Sequence, residues 1–215
     1  MSAYEGNNKR IARNTLLLYF RMGVSMLVSL YTARIVLGTL GEVDYGILNV
    51  VTGCVAIFTF LNGALSGSTS RFLTFELGRD NQEQLKKTFS ATVFIHIALA
   101  IAIVILSETI GLWLLMNKLV IPAERMAAAH WAYQIGILSM VISIIQVPYG
   151  AAIIAHEKMD IYAYMSIFDV GAKLALAFLI QVLGGDKMIL WAIMTMIVGA
   201  LYTIFYIGYC RRHFG

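Results

Sequence analysis

Six long apolar segments constrain the fold of this chain more than any other feature of its sequence. A helix needs about 20 predominantly apolar residues to cross a bilayer. The segments that reach this length are, approximately, 14–37, 45–65, 88–106, 127–147, 161–183 and 188–209. None alternates polar and apolar residues over the roughly ten-residue length of a membrane barrel strand. Because backbone groups in lipid must satisfy their own hydrogen bonds, the sequence predicts an all-α polytopic membrane protein with six transmembrane helices in one domain, residues 1–215.

The composition supports a membrane location. Sixty per cent of the 215 residues are hydrophobic and 13% are charged, so a soluble domain could not hide its apolar surface. The net charge of +4 would suit a nucleic-acid partner, but the basic residues gather at the ends of the apolar segments. That distribution indicates membrane topology, with lipids rather than nucleic acid as the surroundings.

Short connections punctuate the segments and predict antiparallel neighbours. Gly38–Gly41 should break the first helix, and Gly184 with Gly185 should break the fifth. Between spans two and three, Gly78 predicts a helix end, and Asp80 with Glu83 predicts a capping box for the next helix.

The distribution of Lys and Arg predicts the orientation. One side of the membrane holds ten basic residues, namely Lys9, Arg10, Arg13, Arg71, Arg79, Lys86, Lys87, Lys158, Arg211 and Arg212. The other side holds four, namely Arg34, Lys118, Arg125 and Lys187. Positive charge favours the cytoplasmic side, so both termini are expected in the cytoplasm.

Asp169 and Lys173 are two charges within the fifth span, where each ionisable group is costly. At a spacing of four residues they share one helix face and can neutralise each other. They either form a self-satisfied pair that packs against other helices or line a path for a substrate or ion. Both interpretations place this face away from lipid.

Arg21 lies about two turns inside the first span. One interpretation is that its guanidinium reaches back to the headgroups. The other is that it faces a water-filled cavity and binds an anionic substrate, since a guanidinium donates bidentate hydrogen bonds to phosphate. Positions 17, 18, 24 and 25 are Leu, Leu, Val and Ser, so any partner must come from another part of the chain.

Enzyme signatures are weak or missing. The run Ala64–Gly67 is similar to the G-x-S-G of intramembrane serine proteases but lacks its first glycine. The sequence contains no HExxH, P-loop or paired-carboxylate metal pattern, and Cys54 and Cys210 are far apart within apolar segments. We therefore expect no catalytic residues, no metal and no cofactor.

Three stretches carry a resemblance to a known family. They are Asn14–Arg21, Ala33–Gly38 with Tyr45–Ile47, and Pro148–Ala151 with Ala155–Tyr164. The chain resembles, over nearly its whole length, bacterial polysaccharide flippases that carry lipid-linked oligosaccharides such as O-antigen units. These belong to the multidrug/oligosaccharidyl-lipid/polysaccharide exporter superfamily. The motifs are diffuse and concern helix junctions more than chemistry.

The resemblance implies a V-shaped transporter of two six-helix lobes in the bacterial inner membrane. Such proteins carry undecaprenyl-pyrophosphate-linked sugars from the cytoplasmic to the periplasmic leaflet for surface polysaccharide and lipopolysaccharide synthesis. Arg21 matches a basic position in the family's first helix and is expected to contact the pyrophosphate. Asp169 and Lys173 match no fixed motif and are expected to line or shape the cavity.

The chain departs from this family in length. Family members have about twelve to fourteen spans, and alternating access needs a second lobe to move against the first. The six spans therefore suggest an amino-terminal lobe from a truncated chain or partial gene, which would need a second six-helix lobe as its partner.

Two alternatives remain. A cation-coupled drug exporter of the same superfamily should have carboxylates in its cavity, and Asp169 is the one mid-span acid in the sequence. A non-transporting membrane scaffold should have Arg21 and Asp169 sealed in helix contacts without a solvent-facing cavity.

Overall fold

The computed structural model describes the backbone of residues 2–79 and 81–214. It describes the side chains of these residues except at positions 2–14, 56–62 and 64. The helices are α1 Ser2–Gly78, α2 Gln82–Leu106, α3 Leu112–Asn117, α4 Met126–Ala155, α5 Met159–Val182 and α6 Lys187–Phe214. A π-helix, Ser107–Gly111, joins α2 to α3, and a 3₁₀ turn, Ala123–Arg125, precedes α4. The described residues contain no strand, so the all-α prediction is confirmed.

The predicted count of six spans is not matched, because the first two predicted spans lie within α1. Five described helical segments are long and apolar enough to cross a membrane, namely Thr15–Val55, Gln82–Asn117, Ala123–Ala155, Met159–Val182 and Lys187–Phe214. Gly41 alone leaves helical geometry inside α1, with φ 79° and ψ 169°. A straight helix of this length would be about 115 Å long, far beyond the hydrocarbon thickness. Gly41 therefore divides α1 into a first arm, residues 2–40, and a second arm, residues 42–78.

The ends of α2 and α5 show how the connections form. The predicted cap Asp80 lies outside the described residues, and Asn81 is the residue that caps α2, its side-chain oxygen accepting from the Gln84 amide at 3.0 Å. The predicted break after the fifth span is confirmed, since α5 ends at Val182 and Gly185 has φ 101°. A positive φ costs glycine little, which explains why the chain turns there.

Helix α4 is the centre of the bundle. In the most apolar 18-residue stretch of Ala123–Ala155, 44% of the residues are buried. In the corresponding stretches of α5 and α6 the buried share is 11%. Small residues on α4, among them Ala129, Ala132 and Ala151, are almost fully buried and let neighbouring helices approach closely. Large apolar side chains on the other helices face outward, as expected for surfaces in contact with lipid.

The π-helix makes a buried contact with α4. The Tyr133 hydroxyl donates to the Ser107 carbonyl at 2.8 Å. A Cβ added at Gly111 would collide with that same hydroxyl, so glycine is needed for the close approach. Tyr133 is 1% exposed, which leaves its ring little freedom to move aside.

Candidate binding cleft

A cleft of about 520 Å³ opens between both arms of α1 and helices α4, α5 and α6. Its lining combines apolar side chains with hydroxyl, amide and indole groups and one charged group. The polar members are Ser29, Thr32, Tyr45, Asn49, Thr52, Ser139, Ser143, Lys173, Trp191 and Thr195. Among the described lining residues, Lys173 alone carries a full charge.

The helical repeat of α1 explains how its first arm contributes to this cleft. Thr32 and Val36 are buried, whereas Leu27, Leu30 and Tyr31 are exposed on the opposite face. Residues spaced three or four apart share one face of a helix. The first arm therefore turns its hydroxyl-bearing side toward the bundle and its largest apolar groups toward lipid.

Four of the seven hydroxyl groups that line the cleft donate their hydrogens to helix carbonyls, whereas no such bond is seen for Ser29, Tyr45 and Ser143 within the described residues. Thr32 donates to the Val28 carbonyl at 2.8 Å, and Thr52 donates to the Leu48 carbonyl at 2.7 Å. Ser139 and Thr195 each donate to the carbonyl four residues earlier at 2.8 Å. This pattern is common for Ser and Thr in membrane helices.

Asn49 repeats the pattern with an amide. Its Nδ2 donates to the Tyr45 carbonyl at 2.8 Å, and among the described residues no group donates to Oδ1. The described wall of the cleft therefore presents both oxygen acceptors and hydrogen-bond donors, the donors including Lys173 and Trp191.

Asp169 and Lys173 come together as a pair, with Lys173 Nζ donating to Asp169 Oδ2 at 2.8 Å. Lys173 lines the cleft, and its side chain is 40% exposed, against 20% for Asp169. The self-neutralising pair inferred from the spacing is present, and its lysine end reaches the cleft. The two interpretations of this pair are therefore compatible.

Arg21 lies away from the residues that line the cleft. Its Nη1 donates to the Ser166 hydroxyl at 3.1 Å, and its guanidinium carbon lies 4.9 Å from the centre of the Tyr162 ring. Its Nε is buried and has no hydrogen-bond partner among the residues that the structure describes. The partners come from α5, far along the chain, as the lack of neighbouring acids required.

One face of α5 connects the two regions. Tyr162, Ser166, Asp169 and Lys173 follow one another at spacings of four, three and four residues, which places them on a single helix face. Ser166 and Lys173 are seven residues apart, or about 10 Å along the helix axis. Asp169 and Lys173 therefore lie on one polar face of α5, which contacts Arg21 of α1 at one end and reaches the cleft at the other.

The most strongly paired charges lie at connections that the sequence analysis did not single out. Arg125 forms bidentate hydrogen bonds with Asp44, at 2.7 and 2.6 Å, and with Asp186, at 2.6 and 3.1 Å. Asp186 Oδ1 also accepts from the backbone amides of Met188 and Ile189 at the start of α6. We call Asp44, Arg125 and Asp186 the Arg125 clamp.

The clamp ties three connections together. Asp44 follows the Gly41 break, Arg125 precedes α4, and Asp186 follows Gly185. The hydrogen bonds from Arg125 hold the pKa of the Asp186 carboxyl below its ordinary value, with the two backbone amides adding to the effect. Since Arg125 is 81 and 61 residues away from its partners, no local pattern signals this site.

Comparison with known proteins gives no identification. No protein-family model matches the chain, and no curated protein or solved structure matches it either.

Proposed function

We propose that this chain forms one lobe of a bacterial inner-membrane transporter for lipid-linked oligosaccharides. It would carry undecaprenyl-pyrophosphate-linked sugars from the cytoplasmic to the periplasmic leaflet for surface polysaccharide synthesis, with both termini in the cytoplasm. Alternating access would require a second lobe moving against this one. The observation that carries the proposal is the polar cleft, lined by Lys173, among helices of membrane length.

The cleft supports transport because polar groups at membrane depth are costly unless they serve a polar interior. Ionisable residues in membrane helices characteristically face cavities and mark substrate or ion pathways. A binding site near the bilayer midplane, between helices, is also where transporters of this kind hold their substrates. The cleft lies between helices, with side chains from both arms of α1 and from three other helices, which supports the proposal.

Arg21 is the residue that we assign to the pyrophosphate. Its Nε is buried without a partner, and no carboxylate in the described part of the chain pairs with it. A guanidinium with unused donors in a region of low dielectric attracts a phosphate oxygen strongly. Asp169 would hold Lys173 in place at the cleft.

A genetic complementation experiment tests the proposal. Deleting the gene in its host should abolish surface polysaccharide and leave lipid-linked oligosaccharide in the cytoplasmic leaflet, and the wild-type gene should restore export. Lys173→Met should lower export per molecule of protein, because the cleft loses its charged donor; the protein amount is measured alongside, since Asp169 loses its partner. Lys87→Met, which alters an exposed pair with Glu83, is the matched control. Normal surface polysaccharide in the deletion strain would refute the proposed function.

The contacts of Arg21 leave a non-transporting scaffold as the second candidate. Arg21 packs against α5 and not into the cleft, as a scaffold would have it. A scaffold has no need for the polar cleft, so cleft substitutions such as Lys173→Met would leave its function intact. The complementation experiment therefore separates the two candidates.

A further inference from the structure

The second arm of α1 and helix α2 form a hairpin that turns after Gly78. The second arm is about 55 Å long, and α2 with the π-helix and α3 is about as long. The hydrocarbon core of a bilayer is about 30 Å thick, and the whole bilayer with its headgroups is about 40–45 Å thick. At an ordinary tilt of about 20°, both helices extend beyond the hydrocarbon, so the turn lies at or beyond a headgroup layer.

One face of α1 near this turn combines aromatic and basic side chains. Arg71, Phe72, Phe75 and Arg79 share this face, because their spacings keep them within about 100° around the helix. Phe72 and Phe75 are 62% and 58% exposed, and both arginines are exposed. On the opposite face Leu73 is 1% exposed and belongs to a buried cluster with residues of α2 and α4. Packing therefore holds the four residues outward, and we call them the hairpin-tip surface.

The described carboxylates do not neutralise the arginines of the hairpin-tip surface. Between positions 71 and 87 the sequence has four basic and three acidic residues. Glu83 pairs with Lys87 at 2.6 Å, the Glu76 Oε2 is buried, and Asp80 lies outside the described residues. Within the described part of the chain, neither arginine of this surface forms an ion pair. The surface is therefore positively charged.

A cation lies over an exposed ring at both ends of the hairpin. At the tip, the Arg79 guanidinium carbon lies 5.4 Å from the centre of the Phe75 ring. At the other end, Lys118 Nζ lies 5.4 Å from the centre of the Trp113 ring, which is 52% exposed. Position 85 is as far from the turn as Phe75 is, and Trp113 follows it by about 40 Å along the helices. This separation agrees with the distance between the two headgroup layers of a bilayer, where aromatic and basic side chains are typical.

We propose that the hairpin-tip surface binds anionic phospholipid through the phosphate of the lipid headgroup. The inference does not depend on the proposed transport function. The distribution of basic residues predicts that this end of the hairpin is cytoplasmic, and the anionic lipids of that leaflet attract basic side chains. The two guanidinium groups can each donate paired hydrogen bonds to a phosphate, while the phenylalanine rings are buried at the boundary with the acyl chains.

A lipid fits this surface better than a soluble partner does. The surface continues a helix of membrane length and lies at headgroup depth, so lipid covers its two exposed rings without any further protein. Left in water, two adjacent exposed phenylalanines would form an apolar patch. Charge complementarity then selects an anionic lipid over a zwitterionic one.

An indole placed at position 75 measures the binding. The three tryptophans, Trp113, Trp131 and Trp191, are replaced with Phe, and Phe75→Trp then provides the sole indole of the chain. The full chain is reconstituted into phosphatidylcholine vesicles that contain an increasing share of dibrominated phosphatidylglycerol or of dibrominated phosphatidylcholine. Bromine quenches an indole that is in contact with the lipid. We expect both lipids to quench, with a binding constant for phosphatidylglycerol about fivefold to thirtyfold above that for phosphatidylcholine.

Paired arginine variants localise the preference. Arg71→Gln combined with Arg79→Gln should lower the ratio of the two binding constants to about one, with quenching by phosphatidylcholine unchanged. Arg211→Gln combined with Arg212→Gln is the matched control, since it removes two exposed arginines from the end of α6 on the same predicted side. The control should keep the preference for phosphatidylglycerol.

Each other outcome overturns the inference. The absence of quenching by either lipid would place the hairpin-tip surface in water, open to a soluble partner. Equal quenching by the two lipids would make the rings an anchor without selectivity for anionic lipid. A preference that sodium phosphate abolishes, and sodium chloride of equal ionic strength does not, would make this a site for free phosphate. A preference that survives Arg71→Gln with Arg79→Gln, or that is lost equally in the control, would show that these arginines do not bind the lipid.

Discussion

Arg125 and Arg21 are two arginines in opposite situations. Arg125 donates hydrogen bonds to two carboxylates that come from separate connections. Arg21 donates one hydrogen bond to the uncharged Ser166 and lies over the Tyr162 ring, and its buried Nε has no partner among the described side chains. A cation whose donors are matched by carboxylates serves the fold, whereas one without a countercharge retains free interactions for a ligand.

The difference has an energetic basis. Removing one partner from a paired charge leaves the remaining charges uncompensated, which is strongly destabilising where water is limited. Within the described part of the chain, Arg21 has no carboxylate partner whose charge its removal would leave uncompensated. We therefore expect substitutions at the clamp to affect stability, and substitutions at Arg21 to affect function.

The largest effect is expected for Arg125→Ala. Asp44 and Asp186 would face each other without a cation, and the ties between three connections would be lost. Because their side chains are 22% and 28% exposed, water moderates the cost, and we expect a loss of about 2–4 kcal/mol in the free energy of unfolding. Denaturation of the purified chain in detergent measures this loss.

The exposed pair of Lys87 and Glu83 provides the control for the clamp. These side chains are 66% and 80% exposed, so Lys87→Ala should cost at most about 0.5 kcal/mol. Equal effects of Lys87→Ala and Arg125→Ala would show that the clamp does not stabilise the fold.

Packing at Gly111 should have the next largest effect. Gly111→Ala forces its Cβ against the buried Tyr133 hydroxyl, and relieving such overpacking costs about 1–3 kcal/mol. Gly171→Ala is the matched control, since open space surrounds Gly171, and it should be neutral or slightly stabilising. Thermal unfolding of both variants measures the contrast, and a wild-type Tm for Gly111→Ala would contradict the close approach.

A smaller effect is expected from acid. Arg125 lowers the pKa of Asp186, so the stabilisation is complete above the unfolded-state value of about 3.9 and is lost as the pH falls through the folded-state value. Wild type should therefore lose stability below about pH 4. The Asp186→Asn variant has no carboxyl to protonate at this position, so it should lose less stability than wild type over the same pH range. Thermal unfolding at a series of pH values makes the comparison, and parallel curves for the two proteins would contradict the assignment.

Apart from the control substitutions, the smallest stability effect is expected for Arg21→Met. This change loses one hydrogen bond and one cation–π contact but also removes a buried donor without a partner. The free energy of unfolding should change by less than about 1 kcal/mol. A loss as large as that of Arg125→Ala would mean that Arg21 is a structural residue, like Arg125.

The sequence predicts what depends on local pattern. Apolar length gives the all-helical membrane class, and the spacing of Asp169 and Lys173 gives their ion pair, which is present at 2.8 Å. The ease with which glycine adopts a positive φ predicts the break at Gly185, where φ is 101°. Each of these follows from residues within a few positions of one another.

Long-range partners are beyond such patterns. The clamp joins Arg125 to acids 81 and 61 residues away, and Arg21 to Ser166 spans 145 residues. The structure does not match the predicted count of six spans, because the first two predicted spans lie within α1. Within α1 only Gly41 leaves helical geometry, although Gly38 was also expected to help break the helix. The sequence held one signal of the clamp. Asp44 and Asp186 lie close to Gly41 and Gly185, on the same predicted side of the membrane as Arg125.

Export per molecule of protein tests the central contrast most directly. The host's own gene is replaced by the Arg21→Ala or the Arg125→Ala allele, and surface polysaccharide is measured together with the amount of the protein in the membrane. The account predicts that Arg21→Ala abolishes export at an unchanged protein amount, whereas Arg125→Ala lowers the protein amount and export in proportion. Normal export by Arg21→Ala, at a normal protein amount, would contradict it.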